Sequence, residues 1–473
     1  MSAFLAVFTA VLAVLAALIL GTLHKSSRRR RSFPTKRNPV LGFFHPYCDA
    51  GGGGERVLWS AIRAIQTHHP RTTCVIYTWS KAGPPSQILA KVRSQFGVKV
   101  DEGRVEFVRL ETWGWLAADR YRFMTLLLQS LGSLITAWEA LRLYTPDVFV
   151  DTVGFAFTYP LAKHVFGCKV VTYVHYPTIS SDMLGRVAAR KAGYNNSGAV
   201  ARSSALTGAK IWYYRLVAYL YGHAGRAADV VMVNSTWTLN HITTLWRIPT
   251  RTSIVYPPCD TAALKSFSLD DREEVIVAVA QFRPEKDHTL QLDAFARLLD
   301  KYPEHRDRLK LVMIGGSRNA EDRGRVAVLG ERARELNIAE QVQIIENGSY
   351  TILLSHLRKA SLGLHTMRDE HFGIGIVEYM AAGVIPVAHN SGGPKLDIVT
   401  EVDGEPTGFL AETAEEYADA LHRALKLSGD AQRAMRNRAR ASVVDRFSEE
   451  VFARGFVEAL GPLLAGGGDK RED

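Results

Sequence analysis

The sequence predicts an α/β protein in which two Rossmann-like, doubly wound domains face a cleft, preceded by one N-terminal transmembrane helix. Three observations predict it. Short apolar runs alternate with helical patterns along most of the 473 residues, as in parallel sheets covered on both faces. The alternation occurs as two series, parted by Pro257-Pro258, and prolines break regular structure. The stretch Ser2 to Leu23 carries no charge and as a helix would span ~33 Å, enough for a hydrocarbon core. The expected organisation is an anchor at 2–23, a basic linker at 24–38, a first domain at 39–258, a linker at 259–273, a second domain at 274–448, and a C-terminal helix and tail at 449–473.

The anchor sets a topology. A cleaved signal peptide carries positive charge before its apolar run; here the basic cluster follows it, with Lys25, Arg28 to Arg31, Lys36 and Arg37. Positive charge stays on the cytosolic side, so the N-terminus is expected in the lumen and everything after Lys25 in the cytosol. Asn195-Asn196-Ser197, Asn234-Ser235-Thr236 and Asn347-Gly348-Ser349 match the glycosylation acceptor pattern, and a cytosolic chain leaves them unmodified. The same cluster holds seven of the ten net positive charges, so the basicity is local and does not describe a nucleic-acid-binding face. A mix of 47% hydrophobic and 22% charged residues is that of a folded protein. The four cysteines form no Cys-x-x-Cys pair and read as buried reduced thiols.

In the first series the strands are Val40–His45, Cys74–Trp79, Val105–Leu110, Val148–Asp151, Val170–His175, Val230–Asn234 and Ser253–Tyr256, with helices near Glu55–His68, Tyr121–Leu143 and Ile211–His223. In the second the strands are Val275–Gln281, Leu311–Gly315, Val342–Ile345, Leu362–Thr366 and Val384–Ala388, with helices near Leu290–Leu299, Arg323–Leu336, Tyr350–Lys359 and Val377–Ala382. Two helical segments are unusually apolar. Phe123 to Trp138 has no charge, and Ile211 to Tyr221 has one, with four Tyr and one Trp. Either each is a buried core helix or it docks on a membrane surface, where Trp and Tyr favour the headgroup level.

Ligands of doubly wound sheets bind beyond the carboxyl ends of the strands, and the residues suited to chemistry cluster there. Asp369 to Glu378 follows a strand and opens a helix. The backbone N–H groups of Gly373 and Ile374 at its start suit a diphosphate. Glu370 suits sugar hydroxyls and Glu378 a ribose; as a plainer alternative, both are acids favoured by the helix dipole. Arg283 and Lys286 end the first strand of the second series and can neutralise a leaving diphosphate, unless they are an ordinary solvated loop. His175, stopped by Pro177, is placed at the cleft edge, to bond a sugar hydroxyl or to serve the fold alone. Gly52, Gly53 and Gly54, in the run after the first strand, permit close approach to a phosphate or acceptor. Ser391-Gly392-Gly393-Pro394 reads as a tight turn with a backbone donor role.

What is missing narrows the choice. No P-loop, no Gly-x-Gly-x-x-Gly after a first strand and no Gly-x-Ser-x-Gly elbow occurs, which disfavours a P-loop NTPase, a dinucleotide enzyme and an α/β-hydrolase. No Asp-x-Asp occurs, so the phosphates are expected to be held by cations and backbone N–H groups. No metal site and no cofactor are expected.

Together the motifs resemble those of the retaining GT-B glycosyltransferases, from about Val40 to Ser448. Glu370 to Glu378 looks like that family's pair of glutamates separated by seven residues, Arg283 and Lys286 its phosphate-binding pair, and His175 a histidine close to the transferred sugar. Phe372 falls within the same donor-binding stretch. More closely still, the anchor, His45 to Arg56, Val174 to Ser180, Val233 to Thr238 and Val255 to Asp260 are similar to the eukaryotic α-1,2-mannosyltransferases of asparagine-linked glycosylation. The resemblance implies GDP-mannose as co-substrate and a metal-independent reaction with retention. It implies dolichol-diphosphate-linked trimannosyl chitobiose as acceptor, given its fourth and fifth mannoses on the cytosolic face of the endoplasmic reticulum. The membrane and other transferases of that lipid pathway are the partners it suggests; nucleic acid is not. Rival readings keep the scaffold and change the chemistry: a UDP-sugar transferase, an epimerase or phosphorylase, or an inactive membrane scaffold.

Overall fold

The computed structural model describes residues 39–79, 81–180, 183 and 204–464. The anchor at 2–23, the basic linker, the Asn195 acceptor site and the tail from Gly466 lie outside the described residues. Among the described residues no helix is long and apolar enough to cross a membrane.

The first sheet has seven parallel strands: β1 (Val40–Phe44), β2 (Thr73–Trp79), β3 (Val105–Leu110), β4 (Val148–Asp151), β5 (Lys169–Val174), β6 (Val230–Val233) and β7 (Thr252–Ile254), in the order β3-β2-β1-β4-β5-β6-β7. The second has six: β8 (Glu273–Val279), β9 (Lys310–Gly315), β10 (Val342–Glu346), β11 (Ala360–His365), β12 (Ile385–His389) and β13 (Phe409–Ala411), in the order β10-β9-β8-β11-β12-β13. Each order reverses once, between β1 and β4 and between β8 and β11. Those two crevices are where a doubly wound sheet binds ligands.

The strands are buried because both faces are covered. Residues alternate between faces: Val40 and Phe44 join the core on one side of the first sheet, Leu41 and Phe43 the core on the other. The helices that matter below are α1 (Gly53–His68), α2 (Pro85–Phe96), α3 (Thr125–Leu143), α4 (Ser204–Gly225), α5 (Thr236–Trp246), α6 (His288–Lys301), α7 (Ala320–Glu335), α8 (Tyr350–Lys359), α9 (Ile374–Ala382), α10 (Ala414–Lys426), α11 (Gly429–Phe447) and α12 (Glu449–Leu464). The short edge strand β13 and helices α2, α5, α10 and α11 were not picked out in the sequence. All four cysteines are buried and unbridged.

The last helix does not stay with the second sheet. In α12, Phe452, Phe456 and Leu460 enter the first sheet's core beside Leu41, Phe43 and Trp59, and Arg63 on α1 pairs with Glu449 at 2.6 Å. The chain therefore crosses between the halves twice. The two crossings run side by side, with the Cys259 N–H donating to the Phe447 carbonyl at 3.0 Å. A second tie is the buried carboxylate of Asp397, which accepts from the Thr236 N–H and hydroxyl at the start of α5 (3.0 and 2.6 Å) and from the Tyr256 hydroxyl (2.9 Å). A carboxylate at a helix N-terminus is favoured by the helix dipole as well.

Removing this acceptor leaves two hydroxyls and a backbone N–H without it, at a cost of roughly 2–4 kcal/mol. Urea unfolding is expected to order the midpoints wild type, then Asp397→Asn, which keeps one acceptor oxygen, then Asp397→Ala. Equal midpoints would show that the carboxylate does not tie the halves.

Candidate active site

The sequence places the site residues at strand ends, and the fold brings those ends together. After β11, Thr366 donates its hydroxyl to the carbonyls of Lys286 and Asp287 at 2.9 and 3.0 Å. This fastens the loop after β8 to the loop after β11 across the switch point. Glu370 is then buried with Lys286 Nζ 2.5 Å and His365 Nε2 3.1 Å from its Oε2. Burial pushes the Glu370 carboxyl's pKa up, but the Lys286 charge and the His365 hydrogen bond outweigh it and hold the group well below the usual carboxylate range. Lys286 is thus fixed by Glu370 instead of extending into solvent.

Glycine is required at the base of this loop. Gly373, immediately before α9, has φ of +115°, a conformation other residues rarely adopt. The Ser391-Gly392-Gly393 turn packs directly underneath. A β-carbon at Gly392 would lie 2.3 Å from the Glu370 carbonyl, and one at Gly393 2.4 Å from that of Phe372. The expected backbone donor of this turn exists, and it serves the loop itself: the Gly393 N–H donates to the Glu370 carbonyl at 2.8 Å. Phe372 is buried against Tyr256 and Phe447, so it anchors the loop.

Arg283 is half-buried on the same edge. Its Nε is sealed from solvent and unpaired, and burial, reinforced by Arg318, pushes its pKa down. A partly desolvated guanidinium with an unpaired donor suits an incoming anion. Glu378 lies deeper along α9, and burial raises its pKa to about 7, opposed by Arg56 of the first domain and reinforced by Asp260.

The first domain supplies the opposite wall. His175 follows β5 and its Nε2 lies 3.2 Å from the Thr152 carbonyl, which follows β4. Burial, then the neighbouring His45, lower its pKa to about 4, so the ring is neutral near pH 7 and offers hydrogen bonds without charge. A β-carbon at Gly54 would sit 3.6 Å from His175 Nε2, and one at Gly53 3.2 Å from Ile374 at the start of α9. The glycine run therefore lies against His175 on one side and faces the helix N-terminus of the second domain on the other. Gly52 is the N-cap of α1, and its N–H donates to Glu55 at 2.5 Å.

Several residues went unassigned in the sequence. His45, at the end of β1, bonds Thr152 Oγ1 at 2.7 Å and Glu55 Oε1 at 3.3 Å; its place directly after a switch-point strand was the available signal. Tyr176 stacks on His371 at 5.1 Å, and Trp237 packs against the same ring. The two domains thus meet in an aromatic contact at the edge of the site, which no sequence spacing indicates.

The position of Glu378 makes a prediction about stability. The folded pKa of about 7 lies above the ordinary 4.5, so the folded state holds an extra proton between these values. Its contribution to stability is present at low pH and falls as pH rises through that window. Glu378→Gln is expected to stabilise the protein by roughly 1–3 kcal/mol at pH 8 and by little near pH 4.5. Urea midpoints that shift equally at both pH values would refute this.

Residues 38–246 match the family profile described as ALG11 mannosyltransferase N-terminus, and residues 261–442 match Glycosyl transferases group 1. The chain is 47% identical over 446 residues to the GDP-Man:Man(3)GlcNAc(2)-PP-Dol α-1,2-mannosyltransferase of Mus musculus, over 92% of this chain and 90% of that one. It is 46% identical to the Homo sapiens protein of the same name, with the same coverage, and 45% identical to that of Dictyostelium discoideum, over 90% and 85%. Among solved structures it is similar to Anabaena Alr3699/HepE in complex with UDP and glucose, with a TM-score of 0.61 at 16% identity over 90% of this chain and 100% of that one. The sucrose-phosphate synthase of Thermosynechococcus elongatus gives 0.64 at 16% identity, over 91% and 100%. At such identities the likeness is one of fold.

Proposed function

The chain belongs to the GDP-Man:Man(3)GlcNAc(2)-PP-Dol α-1,2-mannosyltransferase family, and from that premise we propose how its cleft performs the transfer. The enzyme moves mannose from GDP-mannose, in α-1,2 linkage, to the dolichol-diphosphate-linked trimannosyl chitobiose. The observation that carries the reading is the facing arrangement at the switch points: Arg283, Lys286 and the start of α9 on one wall, His175 and the glycine run on the other.

We assign the diphosphate of the donor to Arg283, Lys286 and the N–H groups of Gly373 and Ile374. As the glycosidic bond breaks, negative charge grows on the departing phosphate, and preorganised cations and dipoles stabilise it most at that moment. Glu370 keeps Lys286 charged and in place, and its Oε1 is the candidate acceptor for a sugar hydroxyl. Glu378 receives the ribose. His175, neutral at pH 7, faces the transferred sugar. The acceptor hydroxyl attacks the face from which GDP departs, and a phosphate oxygen takes its proton, which gives retention without a protein nucleophile. This scheme needs no metal or cofactor.

The 2–23 stretch is proposed as a single membrane anchor in the endoplasmic reticulum, with the N-terminus lumenal and both domains cytosolic. The burial of Asn234 supports that side, because a glycosylated side chain does not fit the buried position it takes in the folded protein. Transfer of two mannoses in succession, and association with other transferases of the pathway, belong to the same proposal.

The test is a transfer assay on detergent-solubilised protein with lipid-linked trimannosyl chitobiose, GDP-mannose or UDP-sugars, and EDTA in half the reactions. The expected result is two added mannoses from GDP-mannose alone, released by an α-1,2-specific mannosidase and unaffected by EDTA. Glu370→Gln and Lys286→Met are each expected to lower kcat by roughly 100-fold or more. Transfer from a UDP-sugar instead, or inhibition by EDTA, would overturn the donor or the metal-independent scheme respectively.

A further inference from the structure

Each side chain of the run from Glu370 to Gly373 holds its own loop in place, except one. Glu370 meets Lys286 and His365, Phe372 packs beside Tyr256 and Phe447, and Gly373 makes the turn into α9. The ring of His371 turns instead to the first domain. Tyr176 lies nearly flat against it, with ring centroids 5.1 Å apart and planes 23° from parallel. Trp237 packs on the same ring at 5.1 Å and 34°. The two gripping rings come from different elements, Tyr176 from the loop after β5 and Trp237 from the first turn of α5. Trp237 is itself braced edge-on by His241, one turn further along α5, at 4.1 Å, and the Thr236 N–H beside it is held by Asp397 at 3.0 Å. Offset, near-parallel rings at this separation are a favoured aromatic arrangement. They slide over each other more easily than they press closer, because closer approach meets van der Waals repulsion.

The neighbours of these rings in the chain give the contact a chemical meaning. Tyr176 follows His175, and His371 follows Glu370. The stack therefore joins the residue proposed to face the transferred sugar to the one proposed to bind its hydroxyls. On each side the link is one peptide, ~3.8 Å from Cα to Cα. On the second-domain side it is closer still: the backbone N–H of His371 donates to Glu370 Oε1 at 3.2 Å, the oxygen assigned to the sugar. Across the gap, burial is the main cause of the lowered His175 pKa, and His371 adds to the lowering. A contact that only glued two domains together would bury its apolar surface and could sit anywhere along their boundary. Tyr176 is instead 54% exposed, and the stack stands one residue from the site on both walls.

We infer that the stack of Tyr176, His371 and Trp237 is a spacer that sets the gap between His175 and Glu370, which makes these three the positioning residues of the transfer. The inference rests on the donor and sugar assignments above. Transfer needs the acceptor hydroxyl and the departing phosphate within a narrow range of distance, and a misplacement of about 1 Å can cost about 100-fold. A gap held too wide admits water in place of the acceptor hydroxyl. Water oxygen then bonds to the anomeric carbon as the bond to GDP breaks, its proton passes to the departing phosphate, and free mannose and GDP result.

The test is the transfer assay on full-length, detergent-solubilised protein, with mannose release to water measured beside it. His371→Ala is expected to lower kcat for transfer about 100-fold, to leave KM for GDP-mannose within about threefold, and to raise the share of mannose passed to water. His371→Phe, which keeps a flat ring, is expected to recover most of the transfer, and His371→Leu, of similar bulk without a plane, is not. Tyr176→Ala is expected to behave as His371→Ala does, and the double variant to be no worse than either, because the two changes remove one shared contact. Wild-type transfer by a folded His371→Ala protein overturns the proposal. So does a His371→Phe protein as inactive as the alanine variant, which would make the imidazole itself a catalytic group, and so do losses that multiply in the double variant. Should His371→Ala fail to fold, Tyr176→Ala at its exposed position supplies the same kinetic readings, with Tyr176→Phe as the variant that keeps the ring. Wild-type protein that uses a different sugar nucleotide overturns the donor reading alone, and the same variants are then compared on that donor.

Discussion

The catalytic half of the second domain depends on one charge pair. A carboxylate taken out of water costs several kcal/mol unless a partner and hydrogen bonds compensate it, and Glu370 is almost fully buried. Lys286 and His365 supply the compensation, and in doing so they decide the shape around them. Lys286 comes from the loop after β8 and Glu370 from the loop after β11, so satisfying the pair closes the switch point. Thr366 repeats the tie through the backbone. With the loop drawn in, Gly373 must take a left-handed conformation to turn into α9, and Gly392 and Gly393 must lack side chains to pass beneath it.

The first domain is organised by hydrogen bonds more than by charge. His45, Thr152 and His175 stand at the ends of β1, β4 and β5, and each holds the next. Burial keeps His175 neutral, which suits the place proposed for it beside the transferred sugar. The two domains are held in register by Asp397, by the ring contacts at His371 and by α12, which returns to the first core. A cleft tied at three places can keep facing loops within a few ångströms, as Gly53 and Ile374 are.

Much of this was legible in the sequence because it is local. Strand runs such as Cys74–Trp79 and the helix-opening stretch from Glu370 to Glu378 carry their period and their turn chemistry in adjacent residues, and the structure places His175, Arg283, Lys286 and Glu370 at the cleft edge. Pairings between distant residues were not legible. Nothing near Glu370 says that Lys286 will neutralise it, and nothing near Glu449 says that α12 will leave its own domain for Arg63. The edge strand β13, only three residues long, is too short to show a period. The apolar helices stayed ambiguous for a related reason: composition cannot say which face of Phe123 to Trp138 meets the core, and it is the small residues that do.

The two glutamates of the motif show how one helix start can hold the same residue type in two states. Environments that push the pKa values of paired carboxyls apart assign them different work. Glu370 meets a cation that holds its carboxyl well below the usual carboxylate range, so it serves as fixed charge for Lys286. Glu378 meets mainly a desolvating wall and titrates near neutrality. The charge favouring its ionised form is Arg56, one turn into α1 of the other domain. Any movement that brings α1 nearer α9 therefore favours the ionised Glu378, and under the proposed assignment of the ribose to this residue that is the form that accepts hydrogen bonds from both hydroxyls. On that assignment domain approach and donor binding favour each other through a single carboxyl group, and the cost of leaving that group buried without donor falls on the unliganded protein.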